Sequence, residues 1–370
     1  MLVDEKPCGG SAVQTYGWIK GLLDEGQEVY VMTDVYNKKV LKDECRDIKF
    51  IPMYDNKRGI RWLRWIYYRV PYTYKKIKAI KPDYLYSSIP AWSSVLIAIM
   101  CYFLNIKFIQ RISSDANLDS RFLKKNSAIN QFFLFLGLRL SHHILCQNNY
   151  QLKTIKKKFP RKSAIKLLNP FYSNNQDWVY EEHSRNYIAW VGLYRQAKNI
   201  KLLYQVASLL KKEQFLIAGQ AGANYDAESR EYVEKLKLLP NVKFSGYIGR
   251  TQILPFLSKA KFLLNTSHFE GFSNTFLEAW SVGTPILSTI NVNPDSIISN
   301  HTLGLVYNDV FDLCKQHAAV TPELYRLMSD NSRQYVSNYH GYRLVARQLL
   351  RYLSITDKTI TSNTYMNAPA

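Results

Sequence analysis

Short apolar runs alternate with amphipathic stretches along most of this 370-residue chain, and this alternation constrains the fold more than any other feature. Apolar runs of four or five residues fit buried strands, and apolar residues three and four apart fit helices. Strand–helix–strand alternation is typical of a parallel sheet with helices on both faces. In the first half, strands are predicted at Val29–Met32, Asp83–Ser87, Lys107–Gln110 and Ile144–Cys146, and helices at Ser11–Leu23, Val95–Leu104 and Asn148–Lys157.

The alternation stops near Asn169 and resumes near Ile188. A chain of this length exceeds what one hydrophobic core supports, so two α/β domains are predicted, at 1–169 (with a first strand that is short or missing) and 170–335. A C-terminal helix over 336–355 is expected to pack back on the first domain, with 356–370 as a flexible tail. The second half predicts strands at Ile188–Val191, Phe215–Ala218, Val242–Phe244, Phe262–Asn265 and Pro285–Ser288, and helices at Leu202–Leu210, Tyr232–Leu239, Ile253–Leu257 and Phe276–Val282.

Positive charge is concentrated in the first half. Lys and Arg outnumber Asp and Glu by 29 to 13 over residues 1–170, but by only 20 to 16 over 171–370. This excess favours an anionic partner, with a solvated basic surface as the alternative. The segment Lys57–Lys81 interleaves basic residues with Trp and Tyr, which suits an anionic bilayer surface. Single-stranded nucleic acid and a half-buried helix remain alternatives there, but no nucleic-acid-binding motif accompanies the segment, so no nucleic acid partner is expected.

Cysteine usage and hydropathy indicate the compartment. The five cysteines are far apart and never form a CxxC or a His-paired cluster, which excludes a disulfide framework and a zinc site and suits a reducing cytosol. The most apolar run, Val95–Leu104, is about half the ~20 residues that a spanning helix needs. Charged residues interrupt any apolar region at the start. The expected location is the cytoplasm, with peripheral association at the inner face of the membrane.

The segment Ser267–Ser288, SHFEGFSNTFLEAWSVGTPILS, carries the strongest chemical signal. Glu270 lies in a glycine-containing loop after a predicted strand, and Thr275 is expected to open a helix that carries Glu278. A helix N-terminus presents unpaired N–H groups and partial positive charge, which suits a phosphate. The spacing of Thr275 and Glu278 also fits a capping box, in which Glu278 would bond the Thr275 backbone N–H.

This segment resembles retaining glycosyltransferases of family 4, whose E-x7-E element is matched by Glu270 and Glu278. The resemblance implies the GT-B architecture: two facing Rossmann-like domains with the active site between them. It extends to other positions of the chain, namely Gly9-Gly10, Gln147–Tyr150, Asn169-Pro170, Trp190–Gly192 with Arg195 and Lys198, Phe215–Gly219 and Asn241–Tyr247.

The resemblance implies a role for each matched residue. Glu270 holds hydroxyls of the donor sugar as the catalytic carboxylate, and Glu278 holds the nucleotide ribose. The donor diphosphate is bound by Arg195 and Lys198 together with the segment Gly271, Phe272, Ser273, Asn274 and Thr275. The nucleotide pocket includes Gly219, Tyr247 and Ile248, and first-domain loop and sugar contacts come from Gly9, Gly10, Ser114 and Asp115.

Two departures from the family pattern affect these roles. Leu193 stands where many members carry Arg directly after the glycine, so Arg195 must reach from two positions further on. Arg111-Ile-Ser-Ser-Asp115 stands where many members place a His that contacts the donor sugar. His142 and His143 lie on a different segment and are interpreted as structural. Because no Asp-x-Asp occurs in the chain, no metal and no other cofactor is expected.

The sequence therefore predicts a retaining, metal-independent glycosyltransferase. It would move a sugar from a nucleotide-sugar to a hydroxyl of a glycan or lipid-linked acceptor, in cell-surface polysaccharide synthesis. A sugar-nucleotide epimerase on the same fold and a non-catalytic nucleotide-binding module are the alternatives.

Overall fold

The computed structural model of the chain describes residues 10–33, 45, 47–60, 63–119, 127–173, 185–222 and 225–366, with the backbone alone at 11 and 357–366. The chain divides into two compact units: unit 1 combines Met1–Tyr172 with Tyr342–Ala370, and unit 2 is Ser173–Gly341. Unit 2 is therefore inserted between two stretches of unit 1. The expected first strand at Leu2-Val3 lies outside the described residues.

The described residues of unit 1 form two parallel sheets. Its strands are β1 Tyr30–Thr33, β2 Lys49–Pro52, β3 Tyr84–Ser87, β4 Lys107–Arg111, β5 His143–Cys146 and β6 Ser163–Lys166. Its helices are α1 Gly10–Asp24, α2 Val70–Ile80, α3 Ser94–Leu104, α4 Ala128–Leu140, α5 Asn149–Lys158 and α13 Tyr342–Met366. Strands β3-β4-β5-β6 form one sheet in that order, and β1-β2 form a separate pair.

The strands and helices predicted in the first half are confirmed to within one or two residues. Four described helices and strands were not among those predicted, namely β2, β6, α4 and α2, the last of which lies in the segment Lys57–Lys81, where a half-buried helix was one of the alternatives. The two strands are only four residues long, and both begin and end with residues that are not fully buried. Helix α4 reads AINQFFLFLGLRL and is apolar around most of its circumference, so it lacks the one-sided period that reveals a surface helix.

Helix α13 packs on α1 within unit 1, as predicted for the C-terminal helix. Val345, Leu349 and Leu353 are buried in one cluster with Trp18 of α1. A Cβ on Gly21 would lie 2.6 Å from the Tyr342 carbonyl oxygen, so the two helices can approach this closely only at a glycine.

The bounds of the C-terminal helix differ from the predicted 336–355. A preceding helix continues to Tyr339, and α13 begins after Gly341 and runs through Met366. Residues 356–366, expected as part of a flexible tail, contain neither Gly nor Pro. The chain therefore has no residue there that interrupts the hydrogen-bond ladder of a helix already begun by packing against α1.

In the part of unit 2 that the structure describes, six parallel strands form one sheet in the order β12-β11-β10-β7-β8-β9, with helices between the strands. Its strands are β7 Tyr187–Tyr194, β8 Phe215–Ala221, β9 Val242–Gly246, β10 Ala260–Asn265, β11 Ile286–Thr289 and β12 Gly304–Tyr307. Its helices are α6 Ile200–Leu209, α7 Ala227–Lys237, α8 Ile253–Ser258, α9 Asn274–Ser281, α10 Ile297–Asn300, α11 Val310–Ala318 and α12 Pro322–Tyr339.

All five strands predicted in the second half are present, and the four predicted helices correspond to α6, α7, α8 and α9. Helix α7 begins five residues earlier than predicted because Asp226 caps it, accepting a hydrogen bond from Ser229 N at 2.9 Å. Its first turn is polar and so gives no apolar period. The prediction did not include β12, α10, α11 or α12.

Candidate functional site

Two loops of unit 2 meet at the carboxyl ends of neighbouring parallel strands, β7 and β10. A 3₁₀ turn, Gln196–Lys198, follows β7, and residues 266–273 connect β10 to α9. Thr266 Oγ1 donates to the Lys198 carbonyl oxygen at 2.7 Å and accepts from Trp190 Nε1 at 3.0 Å. His268 N donates to the Ala197 carbonyl oxygen at 3.1 Å. The buried indole and these bonds fix one loop against the other.

Lys198 and Glu270, predicted as site residues from segments 72 positions apart, form an ion pair with Nζ and Oε1 separated by 2.5 Å. Ser267 Oγ donates to the same carboxylate oxygen at 3.0 Å. The side chains are 15% and 22% exposed, so the pair is largely withdrawn from water while one edge stays accessible. Both of these bonds are to Oε1, and among the described residues no protein group donates a hydrogen bond to Glu270 Oε2, so that oxygen can accept one from a ligand hydroxyl.

Arg195 lies immediately before the 3₁₀ turn, in extended backbone and exposed to solvent. Asn199 closes the turn in a left-handed conformation, φ 49°, and its side chain caps α6 by accepting from Leu202 N at 3.1 Å. Leu193, the departure from the family pattern, is 39% exposed. The turn therefore presents Lys198 inward and Arg195 outward, and a diphosphate role for Arg195 stays a prediction.

Helix α9 follows the Glu270 loop and begins one residue earlier than predicted. It starts at Asn274, so Thr275 is its second residue, and the N-cap residue Ser273 makes no side-chain capping hydrogen bond. Ser273 Oγ instead shares a hydrogen bond with Thr275 Oγ1 at 2.8 Å. The segment Gly271–Ser273 is buried, and the Phe272 ring packs against Trp280 and His340. The start of α9 is thus held by the packing of Phe272, while Ser273 provides no side-chain cap to its first turn.

Glu278 points to a partner that the sequence did not suggest. Arg250 Nη1 donates to Glu278 Oε1 at 2.5 Å, and Glu278 is only 5% exposed. The capping-box interpretation is wrong, because Thr275 is inside the helix and the Glu278 carboxylate bonds Arg250 rather than the start of the helix. Burial raises the pKa of Glu278, and Arg250 acts in the opposite direction.

The C-terminal end of α9 is closed by a buried guanidinium. Arg185 donates from Nη2 to the Val282 carbonyl oxygen at 3.0 Å and from Nη1 to the Gly283 carbonyl oxygen at 2.8 Å. Ser329 Oγ also donates to the Gly283 oxygen, at 2.7 Å. Gly283 has φ +66°, and a Cβ there would overlap the Arg333 guanidinium, so the turn after the helix requires glycine.

Gly219 lies where β8 approaches β7. Gly192 and Gly219 are register partners, and a Cβ on Gly219 would overlap the Gly192 carbonyl oxygen. Tyr194 donates its hydroxyl to the Gly219 carbonyl oxygen at 3.1 Å, and burial raises the pKa of Tyr194 to about 12. Close strand packing is sufficient to explain this glycine, so its contact with a nucleotide stays a prediction.

Tyr247 and Ile248 follow Gly246, which has φ +67° and ends β9. Tyr247 is half exposed, and Ile248 is partly buried. Arg250 belongs to this same loop. The signal that could have identified it is its position: Arg250 is a basic residue in the loop after β9, three positions beyond the matched stretch that ends at Tyr247.

The first-domain candidates belong to unit 1. Gly9 lies outside the described residues, and Gly10 begins α1. Ser114 caps a short 3₁₀ turn after β4 by accepting from Ala116 N at 3.3 Å. Asp115 Oδ1 accepts from Asn148 Nδ2 at 3.0 Å and from Gln151 Nε2 at 2.8 Å. These bonds hold Asp115 to the start of α5, and sugar contacts at Ser114 and Asp115 stay predictions.

The two histidines interpreted as structural have structural partners. His142 Nδ1 accepts from Phe108 N at 3.0 Å, and His143 is fully buried with Nδ1 3.2 Å from Ser163 Oγ. Among the described residues, no group of three or more His, Cys, Asp or Glu is placed to hold a metal ion. Within the same part of the chain, no helix combines the length and the apolar character needed to cross a bilayer.

Comparison with known families identifies the class of the second unit. Residues 174–333 match the model of the family described as glycosyl transferases group 1. A domain of this class is therefore present, and it contains the paired loops, Glu270, Glu278 and helix α9.

Curated relatives match over part of their length. Glycosyltransferase 1 domain-containing protein 1 of Xenopus tropicalis is 26% identical over 165 residues, which cover 44% of this chain and 48% of that protein. Alpha-monoglucosyldiacylglycerol synthase of Streptococcus pneumoniae is 24% identical over 176 residues, 43% of this chain and 40% of that protein. The matched region thus spans less than half of each of these relatives.

Solved structures match almost the whole chain. Sucrose-phosphate synthase from Thermosynechococcus elongatus superposes with a TM-score of 0.74 at 16% identity, covering 97% of this chain and 96% of that one. Anabaena Alr3699/HepE in complex with UDP-glucose superposes with a TM-score of 0.75 at 15% identity, covering 95% and 97%. The fold is therefore the GT-B glycosyltransferase fold, with parallel sheets in two Rossmann-like domains, as predicted.

Proposed function

We propose that the protein is a retaining glycosyltransferase of family 4 that uses a nucleotide-sugar donor. The observation that carries the proposal is the Lys198–Glu270 pair, 2.5 Å apart, at the start of a helix that bears the buried Glu278. The match to the glycosyl transferases group 1 model over 174–333 supports the reaction class. The structural relative that holds UDP-glucose supports a donor of this chemistry.

In this proposal each group of the site has a defined task. Lys198, Arg195 and the backbone amides of the first turn of α9 bind the donor diphosphate and neutralise the charge that develops as it leaves. Glu270 Oε2 accepts hydrogen bonds from hydroxyls of the donor sugar, and Glu278 accepts them from the ribose. Positive charge from the protein would replace a metal ion, so turnover in excess EDTA is the expected behaviour.

The anomeric configuration is retained because the acceptor attacks the same face of the sugar from which the leaving group departs. The acceptor hydroxyl oxygen forms a bond to the anomeric carbon as the bond from that carbon to the phosphate oxygen breaks. The departing phosphate oxygen takes the proton of the hydroxyl, so atoms and charge balance without a protein base. Glu270 holds the sugar in place during this exchange.

We also propose a glycan or lipid-linked acceptor in cell-surface polysaccharide synthesis, and contact of unit 1 with an anionic membrane. The name of the S. pneumoniae relative, a diacylglycerol glycolipid synthase, supports a lipid acceptor. The Lys57–Lys81 segment gives limited support, because several of its rings pack internally: Trp65 lies against Tyr54 and Trp92, and Arg69 is buried beside the Trp65 ring. Arg61 and Trp62 lie outside the described residues.

Two packed helices of unit 1 offer a better-exposed apolar surface. A Cβ on Gly137 of α4 would lie 2.9 Å from the Ser94 Cβ, which shows how closely α3 and α4 pack. Large side chains of both helices are at least 62% exposed: Tyr102, Phe103, Ile129 and Phe132. Together with the net positive charge of residues 1–170, this surface suits an anionic bilayer. Sedimentation with vesicles should rise with anionic lipid content and fall with salt, and equal sedimentation with neutral vesicles would contradict the membrane proposal.

The reaction is tested by incubating the protein with a panel of nucleotide-sugars, with and without glycan and lipid-linked acceptors. A transferase forms the glycosidic product only when donor and acceptor are both present, and NMR of the new anomeric proton reports retention. An epimerase would convert the donor without any acceptor, and a binding module would retain nucleoside diphosphate without turnover. Inversion at the anomeric carbon would overturn the retaining assignment.

A further inference from the structure

Arg250 reaches the buried carboxylate of Glu278 from a different segment of unit 2. Its guanidinium Nη1 lies 2.5 Å from Glu278 Oε1, across 28 positions of sequence. The Arg250 side chain is 31% exposed, whereas the Glu278 side chain is 7% exposed. One end of the pair is therefore in contact with water and the other end is enclosed.

Burial and charge act in opposite directions on this carboxylate. Removing a carboxylate from water favours its neutral form, whereas a neighbouring cation favours its charged form. Only the charged form offers both oxygens as acceptors, because a protonated carboxyl uses one oxygen as a donor. The state of Glu278 therefore depends on whether Arg250 stays in place.

The other elements packed against α9 do not supply a second cation to Glu278. Helix α8 and strand β11 carry no titratable side chain. On α12, Arg333 pairs with Asp330, and the Tyr335 ring packs on Trp280. In the loop before α9, Glu270 is paired with Lys198. Among the described residues, Arg250 is the charged group that acts on Glu278.

We propose that Arg250 is a positioning residue that keeps Glu278 in its charged, hydroxyl-accepting form, so that the ribose contact of the donor site depends on this pair. The inference rests on the proposed function for the identity of the ligand, but the pairing itself is tested without any ligand. Arg250 acts through Glu278 Oε1 and leaves Oε2 for the ribose hydroxyls.

The first experiment measures thermal stability of the ligand-free protein from pH 5 to pH 8.5. Burial already raises the folded pKa of Glu278 above its unfolded value of about 4.3 in the wild type, and removing Arg250 should raise it further. The stability that is present below the unfolded pKa is lost as pH rises toward the folded pKa, so this loss should be larger in Arg250→Met. Arg250→Met should therefore lose stability relative to wild type as pH rises. Adding Glu278→Gln should remove that loss, and Arg250→Lys should restore most of the wild-type profile.

The second experiment titrates the same variants with UDP and with uridine, which has the ribose but no phosphate. For Arg250→Met, affinity for both probes should fall by about tenfold for each pH unit below the raised pKa, and recover at higher pH. Glu278→Gln should bind weakly at every pH. Lys243→Met, which removes an exposed cation from the neighbouring strand β9, should match wild type.

The outcomes separate the alternatives. A loss of UDP affinity that is equal at every pH, with uridine unaffected, would show that Arg250 binds phosphate directly and would overturn the inference. A ligand-free Arg250→Met protein without pH-dependent loss of stability would overturn it too. If wild type binds neither UDP nor uridine, the proposed donor site fails with its ribose contact, while the ligand-free series still decides whether Arg250 controls Glu278.

Discussion

The two ends of helix α9 are capped differently. At its C-terminal end, the carbonyl groups of Val282 and Gly283 are bonded by the buried Arg185. At its N-terminal end, Ser273 makes no side-chain cap within the described structure, and the neighbouring loop holds the Lys198–Glu270 pair. A helix end that is closed by protein groups serves stability, and one that is left without a cap can serve a ligand. A stabilising contact thus lies at one end of this eight-residue helix, and the proposed donor site lies at the other.

Removing the Arg185 contact at the C-terminal end of α9 should have the greatest effect, and that effect is a loss of stability. Replacing Arg185 with Met leaves two buried carbonyl groups without a charged donor, so the free energy of unfolding should fall by about 3 kcal/mol. Chemical denaturation measures this change, with the exposed Lys212→Met as the control for loss of one charge. Nucleoside-diphosphate affinity of the folded variant should stay within about twofold of wild type. A much larger loss of affinity would mean that the two ends are coupled.

The next largest effect is expected from Glu270, in the loop that precedes the N-terminal end of α9. We call that uncapped N-terminal end the open end. Glu270→Gln keeps the shape of the side chain but removes a charged acceptor worth about 1.5–3 kcal/mol, so transfer should slow by about 10- to 150-fold. Nucleoside-diphosphate affinity should not fall, because the proposed partner of Glu270 is the sugar and the substitution releases Lys198 from its ion pair. Glu231→Gln, which breaks an exposed Glu–Lys pair of the same 2.5 Å length, is the matched control. Wild-type turnover in Glu270→Gln would show that the residue was assigned wrongly.

Substitutions of Lys198 and Arg195 test whether the inward-facing cation contributes more to nucleoside-diphosphate affinity than the outward-facing one. Lys198 is 15% exposed and Arg195 is exposed, so Lys198→Met should weaken nucleoside-diphosphate binding by about 1.5–3 kcal/mol and Arg195→Met by less. Calorimetric titration of both variants measures the difference. An equal or larger loss in Arg195→Met would mean that its guanidinium swings inward on ligand binding. Unchanged affinity in both would remove the diphosphate site from this turn.

The smallest effect is expected from adding a side-chain cap at the N-terminal end of α9. Ser273→Asp adds the missing cap and a negative charge at the open end, so stability should rise by about 0.5–1 kcal/mol. The same charge should repel a diphosphate and lower its affinity. Ser273→Asn supplies the cap without the charge, so it should gain stability and keep more of the affinity. If both variants bind nucleoside diphosphate as wild type does, the open end is not the phosphate site.

Through the family resemblance, the sequence selected Lys198 and Glu270, and the structure brings these two residues together in an ion pair. Glu270 and Glu278 stand eight residues apart around a strand end and a helix start, and Lys198 follows another strand end of the same sheet. Because neighbouring parallel strands end at one edge, such residues can be expected to converge. Strands such as β5 and β11 were predictable because their apolar runs are buried on both faces.

The parts that sequence reasoning missed depend on distant contacts. The sequence around Arg250 does not show which carboxylate it bonds, 28 positions later. The local spacing of Thr275 and Glu278 was also compatible with a capping box, which is not formed. The extension of α13 to Met366 was missed for the same reason, because its early turns are held by contacts with α1 rather than by its own pattern.

The insertion of unit 2 into unit 1 has a consequence for the order of assembly during translation. The buried residues that α13 contributes, Val345, Leu349 and Leu353, leave the ribosome only after all of Ser173–Gly341 has been synthesised. Unit 2 can therefore complete its core while unit 1 still exposes the apolar surface around Trp18 on α1. Domains generally fold as they emerge, but here the first unit to begin is the last to finish. Nascent chains stalled before residue 342 should thus carry a folded second unit and a first unit that is open to chaperones and proteases.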